Sequence, residues 1–298
     1  MIGWMRKYAF LLLLIIFFIA ADIGLQSWDP IGRYDVFSKN DFQRTLHHHP
    51  EAEWPAVFYG NSSVIASYDE AQSSAGLVNL GLDYGKITDL DAILSRKLAP
   101  VGNTLILGVN VFTFMDNLPT DPSYIWHKKG YEPYLYFYRD AIARAVQKYA
   151  LPYVKGEAVA INRKQLYTKA LYYGRLKGED LDGKIADFHR LYGERTMDDF
   201  RRNLAALDRV IAYAREHDID LRVLWMPWNP VLTSPDYVFA LKERVAARLE
   251  AANVPFTDWM DKFAQEHFHD LGHLNVESGR PLFTKEMDEW VRGSYAKS

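Results

Sequence analysis

The sequence predicts an α/β fold: a parallel five-stranded sheet between two layers of helices, a three-layer flavodoxin-like arrangement placed behind an apolar N-terminal helix. Three observations predict it. The strand candidates are apolar almost throughout rather than alternating, as expected of strands buried on both faces of a parallel sheet. Helical patterns separate them, and strand–helix alternation implies right-handed crossovers. The chain has 298 residues, about half of them apolar, enough to fill a sizeable core.

The N-terminal element comes first. Arg6 and Lys7 precede an uninterrupted apolar run from Tyr8 to Ala21, which Asp22 breaks and Ile23-Gly24-Leu25 extends weakly. A spanning helix needs roughly 20 apolar residues, with ~17 at the lower end, so residues 8–25 just reach. Positive charge before the run orients the remainder of the chain outside the cytoplasm. A cleaved signal peptide competes with this, since Ala20-Ala21 resembles a cleavage end. The third position upstream is Ile19 rather than a small residue, which favours an uncleaved single-pass anchor in the plasma membrane. Residues 1–26 are therefore a cytoplasmic stub and anchor, 27–55 a linker with a short helical pattern around Asp41 to Leu46, and 56–298 an extracytoplasmic domain. His47-His48-His49-Pro50 falls in the linker.

Strand one is Ala56 to Tyr59, running into Gly60-Asn61-Ser62-Ser63, and a helix over Val64 to Ser74 follows. Leu77 to Gly81 is the second strand. A helix from Ile87 to Leu98 has Thr88 or Asp89 as its cap, and Thr104 to Asn110 is the third strand. Residues 112–195 break the rhythm as an insertion, with the aromatic run Tyr131 to Tyr138, an amphipathic helix from Arg139 to Tyr149, and Tyr167, Tyr172 and Tyr173 before glycines among charges. These aromatics either pack the insertion on the sheet or present faces to sugar or lipid. Alternation resumes with a helix from Met197 to His217, a strand from Leu221 to Trp225, a helix from Tyr237 to Ala252 and a strand from Val254 to Trp259. A polar loop, His267 to Glu277, leads to a last helix from Gly279 to Val291.

Composition excludes some classes. The formal net charge is −3 with both signs interspersed, which is not the basic stripe of a nucleic-acid surface. The absence of cysteine excludes disulfides, thiolate metal sites and a lipidated-cysteine anchor.

The chemistry gathers at strand ends, which in a parallel sheet face one edge. Ser62 needs a base to become a nucleophile, and His273 supplies one near neutral pH. Asp270, three residues before it, suits the role of fixing the imidazole tautomer. The Ser62 backbone N–H, the Gly81 backbone N–H and the Asn110 side-chain amide are candidate donors to an oxyanion. No cofactor is called for.

These four blocks, Gly60-Asn61-Ser62, Gly81, Asn110 and Asp270-Leu-Gly-His273, resemble in order those of the SGNH (GDSL) hydrolase superfamily. The resemblance implies Ser62 as nucleophile, His273 as base, Asp270 as its partner, and Gly81 and Asn110 in the oxyanion hole. Asn61 stands where the family commonly has aspartate, and Ser63 is a rival nucleophile. With its anchor, the chain is further similar to the D-alanine transfer protein of lipoteichoic-acid D-alanylation and to anchored proteins of exopolysaccharide acetylation. That likeness implies transfer of an acyl group to a carbohydrate or polyol-phosphate polymer beside a membrane-bound O-acyltransferase. This chain is shorter than the D-alanine transfer protein and its insertion differs.

Three alternatives stand beside this reading. His267, His269, Asp270 and His273 form a histidine-rich cluster, although their spacing matches no zinc motif and no metal is expected. A stand-alone serine esterase needs the same residues. A non-catalytic scaffold for an envelope complex would need only the anchor and the insertion.

Overall fold

A computed structural model of the chain describes residues 2–28, 41–117, 146–157 and 169–295. The helices are α1 (Ile2–Trp28), α2 (Asp41–His48), α3 (Ser62–Ser67), α4 (Ile87–Ser95), α5 (Val111–Phe114), α6 (Leu151–Val154), α7 (Glu179–Tyr192), α8 (Arg201–Glu216), α9 (Asp236–Ala251) and α10 (Gly279–Tyr295). The strands are β1 (Trp54–Gly60), β2 (Val78–Gly81), β3 (Val101–Val109), β4 (Asp220–Trp225) and β5 (Phe256–Asp258). Helices α1 and α6 belong to one compact unit, and all the other elements form the second.

In the first unit, α1 carries an 18-residue window, Tyr8–Leu25, long and apolar enough to cross a membrane, with its large apolar side chains exposed. A π-helical turn over Val146–Ala150 leads into α6. The aromatic run at 131–138 and the first seven residues of the expected helix at 139–149 lie outside the described residues.

The second unit is built on one five-stranded parallel sheet in the order β2-β1-β3-β4-β5. All five expected strands are present, each within a few residues of its expected ends. Successive side chains of a strand point to opposite faces, and both faces are covered. Val57, Tyr59, Leu105, Leu107, Val223 and Trp225 enter a large core with Leu90 of α4, Leu207 of α8 and Leu241 of α9. The alternate residues Phe58, Ile106 and Leu224 enter a second core with Val64 of α3 and Phe283 and Met287 of α10. Burying both faces is why the stretches 56–59, 105–107 and 223–225 are apolar at every position.

Several boundaries differ from expectation. Segment 41–55 is part of the globular unit: Phe42 of α2 is buried in the larger core, and β1 begins at Trp54. The helix expected over 64–74 stops at Ser67. Beyond it the chain folds onto α10, where the Asp288 carboxylate accepts hydrogen bonds from the Ser73 hydroxyl, the Ser74 hydroxyl and N–H and the Ala75 N–H. The helical run itself ends earlier, where the Tyr68 carbonyl accepts from Asn79 Nδ2 and the Arg280 guanidinium and the Asp69 N–H donates to Thr284 Oγ1 of α10. Helix α4 is capped at Lys86, and Asp89 is the third-position partner that accepts from the Lys86 N–H. Helix α7 is not among the elements expected in the insertion. Leu181, Ile185 and Phe188 recur at helical spacing and pack inward, and Gly183 has open space around it.

Candidate active site

Sequence-adjacent elements diverge at one point of this sheet. From β1 the chain crosses to β2 on one side and then returns to β3 on the other. The crevice at such a switch point is where open α/β sheets receive ligands. Asn61 and Ser62 follow β1 directly, and Asn110 follows β3.

A row of glycines seats the first of these. Gly81, Gly60 and Gly108 are in register across β2, β1 and β3. A Cβ on Gly60 or Gly108 would lie 2.4 or 2.5 Å from Val64 Cγ2, and one on Gly81 would lie 2.8 Å from Ile65 Cγ1. The sheet is bare there so that α3 can lie against it. Asn61 caps α3 by accepting from the Ser63 N–H, which leaves Ser62 as the first helical residue. Its own N–H lies in the first turn, where no intrahelical acceptor exists.

The histidine arrives from the far end of the chain. Residues 267–275 form a tight hairpin: Phe268 and Leu274 make an antiparallel bridge, and the His269 N–H donates to the His273 carbonyl at 2.7 Å. Asp270 Oδ1 accepts from the Gly272 and His273 N–H groups at 3.0 and 2.9 Å, so the carboxylate folds over its own turn. That geometry brings it to His273 Nδ1, which lies 2.9 and 2.8 Å from the two carboxylate oxygens. Asn229, just beyond β4, anchors the hairpin by donating from Nδ2 to the Asp270 carbonyl at 2.9 Å.

His273 Nε2 lies 2.8 Å from Ser62 Oγ. With Nδ1 donating to Asp270, Nε2 carries a lone pair and accepts the serine proton. Burial alone would raise the Asp270 pKa. Hydrogen bonding and positive charge from His273, with the two backbone N–H groups, outweigh it and bring the carboxyl down to about 2. Asp270 is thus ionised at any working pH, as a partner that stabilises imidazolium must be.

Ser63 stands in a different network. It is buried, and its Oγ accepts from Asn110 Nδ2 at 3.0 Å. Asn110 Oδ1 accepts from Asn61 Nδ2 at 2.9 Å and from the Phe112 and Thr113 N–H groups at 3.0 and 3.3 Å. Three donors on one oxygen fix the amide orientation and turn its NH₂ toward the serine turn.

Gly81 differs from expectation. Its N–H donates to Asn79 Oδ1 at 3.0 Å, and Asn79 is itself held by donating from Nδ2 to the Tyr68 carbonyl at 3.0 Å. A single proton already committed cannot also meet an oxyanion. What the site requires of Gly81 is the missing Cβ. Of the three expected donors, the Ser62 N–H and the second Asn110 Nδ2 proton are uncommitted.

The histidine cluster does not converge. His267 Nδ1 faces Ser278 Oγ at 3.0 Å, His269 Nδ1 faces the Tyr173 carbonyl at 2.9 Å, and His273 faces Asp270 and Ser62. Among the described residues no three metal-binding side chains gather. His49, which follows α2 and ends the histidine run, places Nε2 2.6 Å from Glu70 Oε1.

Sequence reasoning missed Asn229, Lys169 and Tyr172 as parts of this neighbourhood. Asn229 had a signal, since it lies just past a strand's carboxyl end. Tyr172 stacks on His273 with ring centroids 4.1 Å apart and 7° between planes, and nothing local in the sequence points to that.

No family model matches the chain, and no curated protein matches its sequence. Among solved structures, a Bacteroides fragilis protein provisionally described as an acylhydrolase aligns at 12% identity and a TM-score of 0.45, over 85% of this chain and 96% of that one.

Proposed function

We propose that the chain is a serine-dependent acyl-transfer enzyme that cleaves carboxylic esters or thioesters through an acyl-serine at Ser62. The observation that carries this reading is the unbroken chain from Ser62 Oγ through His273 to an ionised Asp270. Nucleophile, base and orienting carboxylate within hydrogen-bond reach are what covalent acyl transfer requires. Ser62 Oγ attacks the acyl carbonyl carbon while its proton passes to His273 Nε2. The Ser62 N–H and the Asn110 amide receive the oxyanion, and His273 returns the proton to the departing alkoxide or thiolate. A second hydroxyl then gives its proton to His273 Nε2 and attacks the acyl-serine carbonyl. The bond to Ser62 Oγ breaks as His273 returns that proton to Oγ, and the acyl group leaves on the acceptor.

The finer reading is transfer to an envelope polymer outside the plasma membrane. It is supported by α1, whose apolar window suits a single-pass anchor, and by the positive residues that precede it in the sequence. The acceptor would be a carbohydrate or polyol-phosphate hydroxyl, with a membrane-bound O-acyltransferase as partner. A stand-alone esterase uses the same acyl-serine with water as acceptor.

A fluorophosphonate probe tests the core of this. The full-length chain in detergent should label, and Ser62→Ala should not. Labelling that survives in Ser62→Ala would sink the mechanism, and no labelling of the wild type leaves a non-catalytic scaffold. Partition of an acyl-enzyme between water and added glycerol then separates hydrolase from transferase.

A further inference from the structure

The segment from Lys169 to Leu176 is tied down at both ends around the catalytic hairpin. The Lys169 ammonium donates to the carbonyls of Asn79 and Gly81 at the carboxyl end of β2. Further along, the Val276 N–H donates to the Tyr172 carbonyl and the Leu176 N–H to the His269 carbonyl, both at 2.9 Å. The Gly174 N–H reaches both oxygens of Glu277 at 3.0 and 3.1 Å. Tyr172 sits between these anchors. Its ring lies parallel to that of His273 and also meets His269, at 5.5 Å and 54°.

We propose that Tyr172 is a positioning residue for His273, holding the imidazole in the plane that joins Asp270 to Ser62 and stabilising its protonated form. This rests on His273 being the general base. The hydrogen bonds of His273 lie in the ring plane and fix its rotation within that plane. They resist tilting out of it only weakly, because hydrogen bonds tolerate moderate bending. A second ring stacked face to face blocks tilt, and the electron-rich face of a phenol attracts the imidazolium formed as the serine proton arrives. The charged group meeting His273 directly is Asp270, from its own hairpin. Asp83 and Asp41 also act on Tyr172. Burial, and then these carboxylates with Asp270, push the Tyr172 phenol well up, so it stays neutral. The stacking face is needed and the hydroxyl is not.

The test uses the full-length chain and three variants, read by the rate of fluorophosphonate labelling at Ser62 and by ester hydrolysis against pH. Tyr172→Phe keeps the ring and should stay within about 2-fold of wild type. Tyr172→Leu keeps apolar bulk without the π face. It should lower kcat about 10-fold with KM little changed, a smaller loss than the ~100-fold that a full 1 Å misplacement brings. It should also move the acidic limb of the kcat/KM profile down by about half a pH unit, the size expected for a lost cation–π contact. Tyr172→Met, followed by thermal unfolding, stands in if the leucine variant does not fold. A leucine variant with wild-type rates overturns the proposal, as does a loss with an unmoved acidic limb or an equal loss in the phenylalanine variant. In those cases Ser62 labelling persists and the acyl-transfer reading stands. Absence of wild-type labelling overturns both.

Discussion

Asn61 Nδ2 donates a 2.9 Å hydrogen bond to Asn110 Oδ1, joining the turn after β1 to the turn after β3. The bond selects the rotamer of an amide that the reaction would use, since it holds Oδ1 on Asn61 and leaves Nδ2 to face Ser63. Asn61→Asp would set a carboxylate oxygen against Asn110 Oδ1 at a buried position. The Asn110 amide should flip or swing out. We expect kcat for a p-nitrophenyl ester to fall by about 100-fold, the size of losing one oxyanion donor. An Asn61→Asp enzyme with unchanged kcat would remove Asn110 from the mechanism.

Asp270 ties acid stability to the site. Its folded pKa, about 2, lies below the usual carboxylate value of 3.8. On acidification the unfolded chain therefore takes up this proton first. The stabilisation is complete above about pH 4 and is lost as pH falls toward 2, amounting to about 2 kcal/mol. Asp270→Asn should flatten that part of the stability–pH curve in urea titrations. It should also cut kcat by roughly 10³–10⁴-fold through loss of the tautomer. A variant whose acid stability profile overlays wild type would contradict the assigned pairing.

The two neighbouring serines should separate cleanly by substitution. Ser62→Ala should abolish probe labelling yet change stability by under about 1 kcal/mol, because its hydroxyl is only partly buried. Ser63→Ala should keep labelling yet lose about 1–2 kcal/mol, since it leaves Asn110 Nδ2 without its acceptor. The opposite pattern would transfer the nucleophile to Ser63.

Gly60→Ala should be among the more damaging single-methyl changes in the chain. The added carbon would meet Val64 Cγ2 and the Gly108 carbonyl oxygen at 2.4 and 2.5 Å. Overpacking against backbone costs about 1–3 kcal/mol and lifts α3 off the sheet. A thermal melt should show the loss, and labelling of Ser62 should slow with it. Wild-type stability and labelling in Gly60→Ala would mean that α3 does not depend on this bare patch.

The sheet was readable from sequence because burial on both faces leaves apolar runs that a chain cannot disguise. Phe58 and Tyr59 enter different cores, yet both are apolar, and a strand is the simplest element that permits this. Ser62, Asp270 and His273 were readable as candidates because each lies at a strand end or in the last loop. What escaped was set by long-range partners. Helix α3 gives way at Tyr68 and Asp69 to partners on β2 and α10, and Gly81 loses its N–H to an Asn79 amide that the Tyr68 carbonyl orients. Helix α7 escaped for a local reason, since Gly183 obscured the spacing of Leu181, Ile185 and Phe188.

His273 lies 211 residues after Ser62. As the chain is synthesised, the sheet edge carrying the serine emerges long before its base, and the hairpin bearing that base is held by Asn229 beyond β4 and closed over by α10. On the proposed mechanism the serine would stay a plain alcohol, indifferent to acyl donors, until His273 has been made. Any product truncated before residue 273 would carry the crevice without reactivity. On the proposed mechanism, synthesis of the hairpin is the step that would arm it.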